Sequence, residues 1–226
     1  MKLKNLLFSL LAAPLFLFGC AEKADLIVPR DTPSEWMEIG CVNWPELYPY
    51  KPAVRFRMWH DGDHFYIEFQ VEEELTKAEQ NVPGGYVHKD SCLECYIHPD
   101  PEHNPWYYSF EWNAAGHLNL ARRTCRDDAE QAPLDVNFSV TEEASLGSEP
   151  FGTIAVGGPW TLKVSIPPSA LWHDNVKSWS NFKCHMNLYK CAQGMEKQMY
   201  LSWAPIRSEK VTFQKTEFFR PVRFAK

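Results

Sequence analysis

Apolar and polar residues alternate along most of this chain with a period of two, and that period predicts strands. Val54-Arg55-Phe56-Arg57-Met58-Trp59 alternates, His60-Asp61-Gly62-Asp63 supplies turn residues, and Phe65, Ile67, Phe69 and Val71 then interleave with Tyr66, Glu68, Gln70 and Glu72. This is a hairpin with a half-buried second strand. Glu73 to Lys89 holds Pro83-Gly84-Gly85 and no sustained period, so it reads as a long surface loop. Strands follow over Cys92–Ile97, stopped by His98-Pro99-Asp100-Pro101, and over Trp106–Asn113, which turns at Ala114-Ala115-Gly116 into Leu118–Ala121. Val136–Val140 reads as a strand, Ser145 to Gly158 as a Gly-rich connection, and Trp160–Ile166 as a clear strand. Pro167-Pro168-Ser169 signals one short helical turn. Phe182–Tyr189, Tyr200–Trp203 and Val222–Phe224 are late strands.

About nine or ten short strands separated by turn signals, with almost no helical period, mean an all-β chain folded as an antiparallel β-sandwich. Length allows one such domain. The formal net charge is −6 and no basic run occurs, which argues against a nucleic-acid partner. Aromatics make up 14% of residues, including nine tryptophans, more than a core of this size asks for. Trp59, Trp112 and Trp160 alternate with polar residues as core positions do, while Trp106 follows a proline-rich turn and is expected to be exposed.

The first twenty residues read as export signal rather than fold. Lys2 and Lys4 precede an apolar run from Leu6 to Phe18, too short for a permanent span, and Leu17-Phe18-Gly19-Cys20 fits a lipobox. Lipidation at Cys20 would hold the mature chain to a membrane of the cell envelope, outside the cytoplasm. Residues 21–35 then read as a tether and residues 36–226 as the domain. Six cysteines remain, and an oxidising compartment would permit disulfides. Cys92 and Cys95 resemble a CxxC, but three residues along a strand place them on opposite faces, so no metal site is assigned to them.

The candidate chemistry lies in Lys89-Asp90-Ser91-Cys92-Leu93-Glu94-Cys95-Tyr96-Ile97 and Trp106-Tyr107-Tyr108-Ser109-Phe110-Glu111-Trp112-Asn113. Carboxylates at alternate strand positions among aromatics are poor core material. They suit a sugar, whose C–H faces stack on rings and whose hydroxyls take paired hydrogen bonds from planar polar groups. If the two strands are neighbours, Glu94, Glu111 and Asn113 converge on one face with the loop residues Tyr86 and His88. Trp203, at a strand end before Ala204-Pro205, can reach the same site, with Asn187 and Lys190 at its rim. Arg122 and Arg123 either reach sugar hydroxyls or pair at the surface with Asp127 or Asp128, and surface pairing is the expectation.

Four segments, in order and spacing, resemble the carbohydrate-binding module family 9-like (DOMON-like) domains: DGDHFYIEFQVEE, KDSCLECYI, WYYSFEWNAAGHL, and the ending LYKC…YLSWAPI…EFFRPVRF. The resemblance runs from about residue 50 to the C-terminus. It implies a β-sandwich that binds an oligo- or polysaccharide without catalysis and works beside a glycoside hydrolase or uptake complex. It also implies a sugar-holding glutamate at Glu94 and a stacking tryptophan at Trp203. The second tryptophan's place falls near Tyr86 or His88, and Glu111 stands where those domains carry an arginine. A glycosidase using Glu94 and Glu111 is the alternative, but no catalytic motif accompanies the pair, so no residue is assigned a catalytic role. Haem binding is a second alternative, though His185 and Met186 are adjacent and would face opposite ways. No cofactor is expected. Structural calcium is left open by Asp61, Asp63 and Asp100, which lack EF-hand spacing.

Overall fold

The computed structural model describes residues 25–226. The segment read as an export signal, with Cys20, lies outside the described residues. In chain order the strands are β1 Leu26–Val28, β2 Met37–Glu38, β3 Cys41–Val42, β4 Ala53–His60, β5 Phe65–Glu72, β6 Thr76–Ala78, β7 Cys92–His98 and β8 Tyr107–Asn113. They continue with β9 Leu118–Arg123, β10 Ala129–Gln131, β11 Thr141–Ala144, β12 Phe151–Ile154, β13 Trp160–Ile166, β14 Lys183–Cys191, β15 Tyr200–Ser202 and β16 Arg220–Phe224.

Two sheets face each other. The larger runs β1-β16-β14-β7-β8-β9-β10, with β15 and β3 joined at one end of β14, and the smaller runs β11-β13-β5-β4-β2. The β4–β5 hairpin forms as its pattern dictates. Gly62 takes φ +99°, and the Asp61 carboxylate accepts from the Asp63 and His64 amides at 2.9 and 2.7 Å and from Tyr66 Oη at 2.8 Å. Phe56 then lies opposite Phe69, and Met58 opposite Ile67. One face of β5 and β13 (Phe65, Ile67, Phe69, Val71, Trp160, Leu162, Val164, Ile166) packs onto Leu93, Cys95, Ile97, Tyr108, Phe110 and Trp112 of the other sheet. Each such side chain contributes roughly 1.5–3 kcal/mol by burial.

β7 and β8 depart from the simple alternation, because every residue in both is buried. Their inner face meets the second sheet. Their outer face, carrying Cys92, Glu94, Tyr96, Tyr107 and Glu111, is roofed by the segments around Val87 and from Ile206 to Phe219. A second, smaller core of Tyr96, Tyr107, Tyr189, Phe213 and Phe219 forms there.

Several local expectations change. Val136–Val140 is not a strand: Leu134–Asn137 is one α-turn, started by Pro133, with Phe138 N donating to Leu134 O at 2.9 Å. Val136 and Val140 fit a period of four as readily as a period of two, and both pack on the core from the turn. The segments read as loops hold β6 and β12, which pair with each other. Leu26–Val28, within the stretch read as tether, pairs in parallel with β16. The short 3₁₀ turn at Pro168–Ala170 stands where the proline signal puts it. Trp59 sits half-buried on the outer face of the smaller sheet, stacked on Tyr66 at 5.1 Å, because its register partner points outward as well.

Candidate functional site

The outer face of the larger sheet gathers polar residues in rungs, since antiparallel partners in register share a face. One rung reads Tyr189, Glu94, Glu111, Asn119 across β14, β7, β8 and β9. The next along reads Asn187, Tyr96, Ser109, Ala121, and beyond it Tyr107 faces Arg123. Glu94 and Glu111, directly opposite one another, are 2% and 3% exposed and form the floor of a hollow of about 370 Å³. That volume lies within the range of small-molecule sites.

Glu111 is held by three groups. Asn119 Nδ2 donates to its Oε2 at 3.0 Å, Tyr96 Oη to its Oε1 at 3.4 Å, and Arg123 Nη2 lies 3.6 Å from Oε1. Arg123 is itself steadied by Nε donating to Ser109 Oγ at 2.8 Å. Glu94 has weaker company: Cys191 Sγ donates to its Oε1 at 3.0 Å and Cys92 Sγ at 3.8 Å. Burial, and after it the charge of Glu111, push the Glu94 carboxyl up to about 8, so at neutral pH it is mostly the uncharged acid and can donate a hydrogen bond. Its Oε2 and the Oδ1 of Asn119 are buried with no protein partner. Paired orphans of this kind on the floor of one hollow point to a ligand or water that satisfies them.

Walls come from loops. Tyr86, 62% exposed, and His88 stand edge to face at 5.7 Å on the 3₁₀ turn Val87–Lys89, across from Tyr200 and Phe213. Burial lowers the His88 pKa, with Glu111 opposing, so the ring is neutral at physiological pH. The turn is fixed by Gln193 N donating to His88 O at 2.9 Å and Gly194 N to Lys89 O at 3.1 Å. A Cβ at Gly194 would lie 2.6 Å from Lys89 O, so glycine is required for this approach. Gln214 donates from Nε2 to Tyr96 Oη at 3.1 Å, and Gln131, Gln193, Arg126 and Asp127 complete the rim.

Of the residues expected at the site, the structure brings together Tyr86, His88, Glu94 and Glu111. Asn113 shares their face but works as a clamp, donating to Gln80 O at 2.8 Å and Asp90 Oδ2 at 3.0 Å and accepting from the Ala115 and His117 amides. Asn187 is closed in a two-way pair with the Ala204 backbone, 2.9 and 3.1 Å. Lys190 lies opposite Leu93 and Leu201, which face the sandwich interior, so it points there too and pairs with Glu73 at 2.9 Å, both side chains fully buried. Trp203 is placed on the far side of the sheet. Its amide continues the ladder to Leu188 O at 2.9 Å, so its ring follows Leu188 inward, against Phe56 at 5.7 Å and under the Arg220 guanidinium at 4.2 Å. Met186 faces the core and His185 the other way, so the two cannot ligate one group. Asp61 and Asp100 are engaged locally, in the hairpin turn and with His103 at 2.8 Å.

The sequence profile of carbohydrate-binding family 9 matches residues 26–224. The chain belongs to that family. A Bacteroides uniformis protein described as a candidate carbohydrate binder is 33% identical over 84% of this chain and 86% of its own, with a TM-score of 0.79. A family 9 module from Caldicellulosiruptor kristjanssonii solved with cellotriose is 8% identical over 89% of this chain and 93% of its own, TM-score 0.58. The same module with glucose is also 8% identical, over 88% and 95%, TM-score 0.58. At that identity the module shares the fold alone. No curated protein sequence matches the chain.

In this family 9 domain, sequence reading missed Asn119, Tyr200 and the glutamines of the rim, and favoured surface pairing for Arg123. Arg123 does not pair with Asp127 or Asp128; it turns onto the floor and meets Glu111. The signal was the period of β9, where Asn119 and Arg123 share a face with Ala121, but only knowledge that β9 borders β8 converts that period into contact with Glu111.

Proposed function

We propose that this family 9 domain holds the ring of an oligo- or polysaccharide in the hollow over Glu94 and Glu111, without catalysing a reaction on it. The observation that carries the reading is the floor itself: two carboxyl groups side by side, the Arg123 guanidinium, and unpartnered polar atoms on Glu94 and Asn119, under the rings of Tyr86, His88 and Tyr200. Neighbouring sugar hydroxyls each donate and accept, and a carboxyl–carboxylate–guanidinium row satisfies both roles at once. The rings supply flat surface for the sugar's C–H face. Both carboxyls stand side by side on one floor, an arrangement suited to gripping one edge of a ring rather than flanking a glycosidic bond. The ligands of the Caldicellulosiruptor module, cellotriose and glucose, make glucose-type sugars the first to try.

Anchoring by lipid at Cys20, exposure on the cell envelope and service to a glycoside hydrolase or uptake complex belong to the same proposal, supported by the lipobox and the family. Isothermal titration against an oligosaccharide panel tests the site. Binding weakened about tenfold or more in Arg123→Ala and Glu111→Ala, both folded by circular dichroism, is the expected result. Full affinity in both variants, or no binding to any glycan, overturns it.

A further inference from the structure

Beneath the hollow lie two thiols that sugar binding does not use, beside the Glu94 carboxyl that the floor shares with them. Cys92 and Cys191 are directly opposite on β7 and β14, both fully buried, and the Glu94 carboxylate leans over them. One sulfur of each and a carboxylate oxygen lie within 4.8 Å of one another. Cys191 Sγ is 3.0 Å and Cys92 Sγ 3.8 Å from the same Oε1. Two thiols are unusually poor company for a buried carboxyl, being weak donors. The same trio matches what a borderline-soft ion selects.

We propose that Cys92, Cys191 and Glu94 bind a zinc ion. Tetrahedral zinc holds sulfur at about 2.3 Å and carboxylate oxygen at about 2.0–2.2 Å, which sets donor–donor separations of roughly 3.3–3.8 Å. The two sulfur–oxygen distances, 3.0 and 3.8 Å, lie on either side of the tetrahedral sulfur–oxygen separation of about 3.6 Å, and the three donor atoms already lie within 4.8 Å of one another, so side-chain rotation without backbone movement forms the cage. Three protein ligands leave a fourth position for water or a ligand oxygen. Entry is through the hollow, because Glu94 is shared between its floor and the cluster. Two thiolates and one carboxylate select zinc over calcium or magnesium, which take oxygen cages.

The ion resolves the burial problem of the trio. Uncharged, each thiol is pushed upward by burial and is a poor ligand; next to a dication the thiolate is the favoured form. Loading releases protons as Zn²⁺ + 2 RSH + RCOOH → [Zn(SR)₂(OOCR)]⁻ + 3 H⁺, with no oxidant or reductant required. Arg123, 3.6 Å from Glu111, supplies one positive charge beside the pair of sites. Cys95, three residues along β7, cannot join, since it packs in the inter-sheet core.

The experiment is titration of the reduced full mature chain with Zn²⁺, and with Co²⁺ or Cd²⁺ as spectroscopic probes of sulfur ligation. Expected are one ion per chain, thiolate-to-metal charge-transfer bands, and at least two protons released per zinc, one from each thiol, read from calorimetry in buffers of different ionisation enthalpy. Cys191→Ser and Cys92→Ala should abolish the bands, while Cys125→Ser, which removes an exposed thiol, leaves them intact. Should the buried variants misfold, zinc must still raise the Tm of the wild type and not that of Glu94→Gln. Bands that survive Cys191→Ser, absence of bands in the wild type, or recovery of Cys92 and Cys191 as a disulfide from protein saturated with zinc overturns the proposal. Sugar affinity of the zinc-free protein is read separately in chelator, so failure here and failure of the glycan reading are distinct.

Discussion

Glu94→Gln isolates the electrostatic centre of the floor. Glu94 is 2% exposed, and burial followed by the charge of Glu111 moves its carboxyl from 4.5 to about 8. In the unfolded chain the group ionises near its ordinary value, so between these two pH values the folded state binds more protons than the unfolded one. Stability contributed by the neutral acid is therefore fully present below about pH 4.5 and lost progressively as pH rises to about 8. Each unit of that window is worth about 1.4 kcal/mol, a few kcal/mol in all. Glutamine keeps the shape and a donor but cannot ionise. Urea unfolding of wild type and variant, both with chelator present to keep metal out, reads the difference directly. The variant should gain on the wild type by a few kcal/mol between about pH 5 and about pH 8. Taking the difference cancels His60, His88 and His98, whose lowered pKa values give both proteins a loss at acid pH. Parallel curves across that window would show that Glu94 is ionised in the folded protein and that the floor carries two negative charges.

Arg123→Ala should weaken glycan binding by roughly ten- to a hundredfold in calorimetry, the worth of a charge-assisted hydrogen bond, and Arg123→Lys should recover only part of it. Trp203→Ala should cost about 3–5 kcal/mol in urea unfolding, as an emptied core site does, yet leave the affinity of the still-folded protein at low temperature within about threefold. Lys190→Ala strands the buried Glu73 carboxylate and should cost about 3–5 kcal/mol, whereas Lys190→Met with Glu73→Gln should recover most of that stability. Gly194→Ala should displace the turn that carries His88 and lower glycan affinity with little change in the urea midpoint. Cys20→Ala should move the protein from the membrane to the soluble fraction of cells.

The period-two alternation of β4, β5 and β13 was enough to establish an all-β sandwich, because in a sheet with one face buried each side chain's facing follows from its position alone. The shared place of Glu94 and Glu111 was legible for a related reason: carboxylates in neighbouring strands rich in aromatics conflict with a plain core and lie on its outer face. Trp203 and Lys190 were not, because which way a strand's odd and even residues point depends on its neighbours. β15 takes its facing from Leu188, and Lys190 from Leu93 and Leu201. Val136–Val140 failed because two valines four apart satisfy strand and helix alike, and Pro133 decided for the helix. What tertiary structure alone determined is adjacency. The strand after the Ala114–Gly116 turn pairs with β8 and runs on to Arg123, delivering it and Asn119 to Glu111, while strand order put β14 beside β7, delivering Cys191 to Cys92 over a gap of about a hundred residues. Period is a local property of the chain, while the identity of a strand's partner is set by how two whole sheets bury their apolar faces. The floor of the hollow is made of partners.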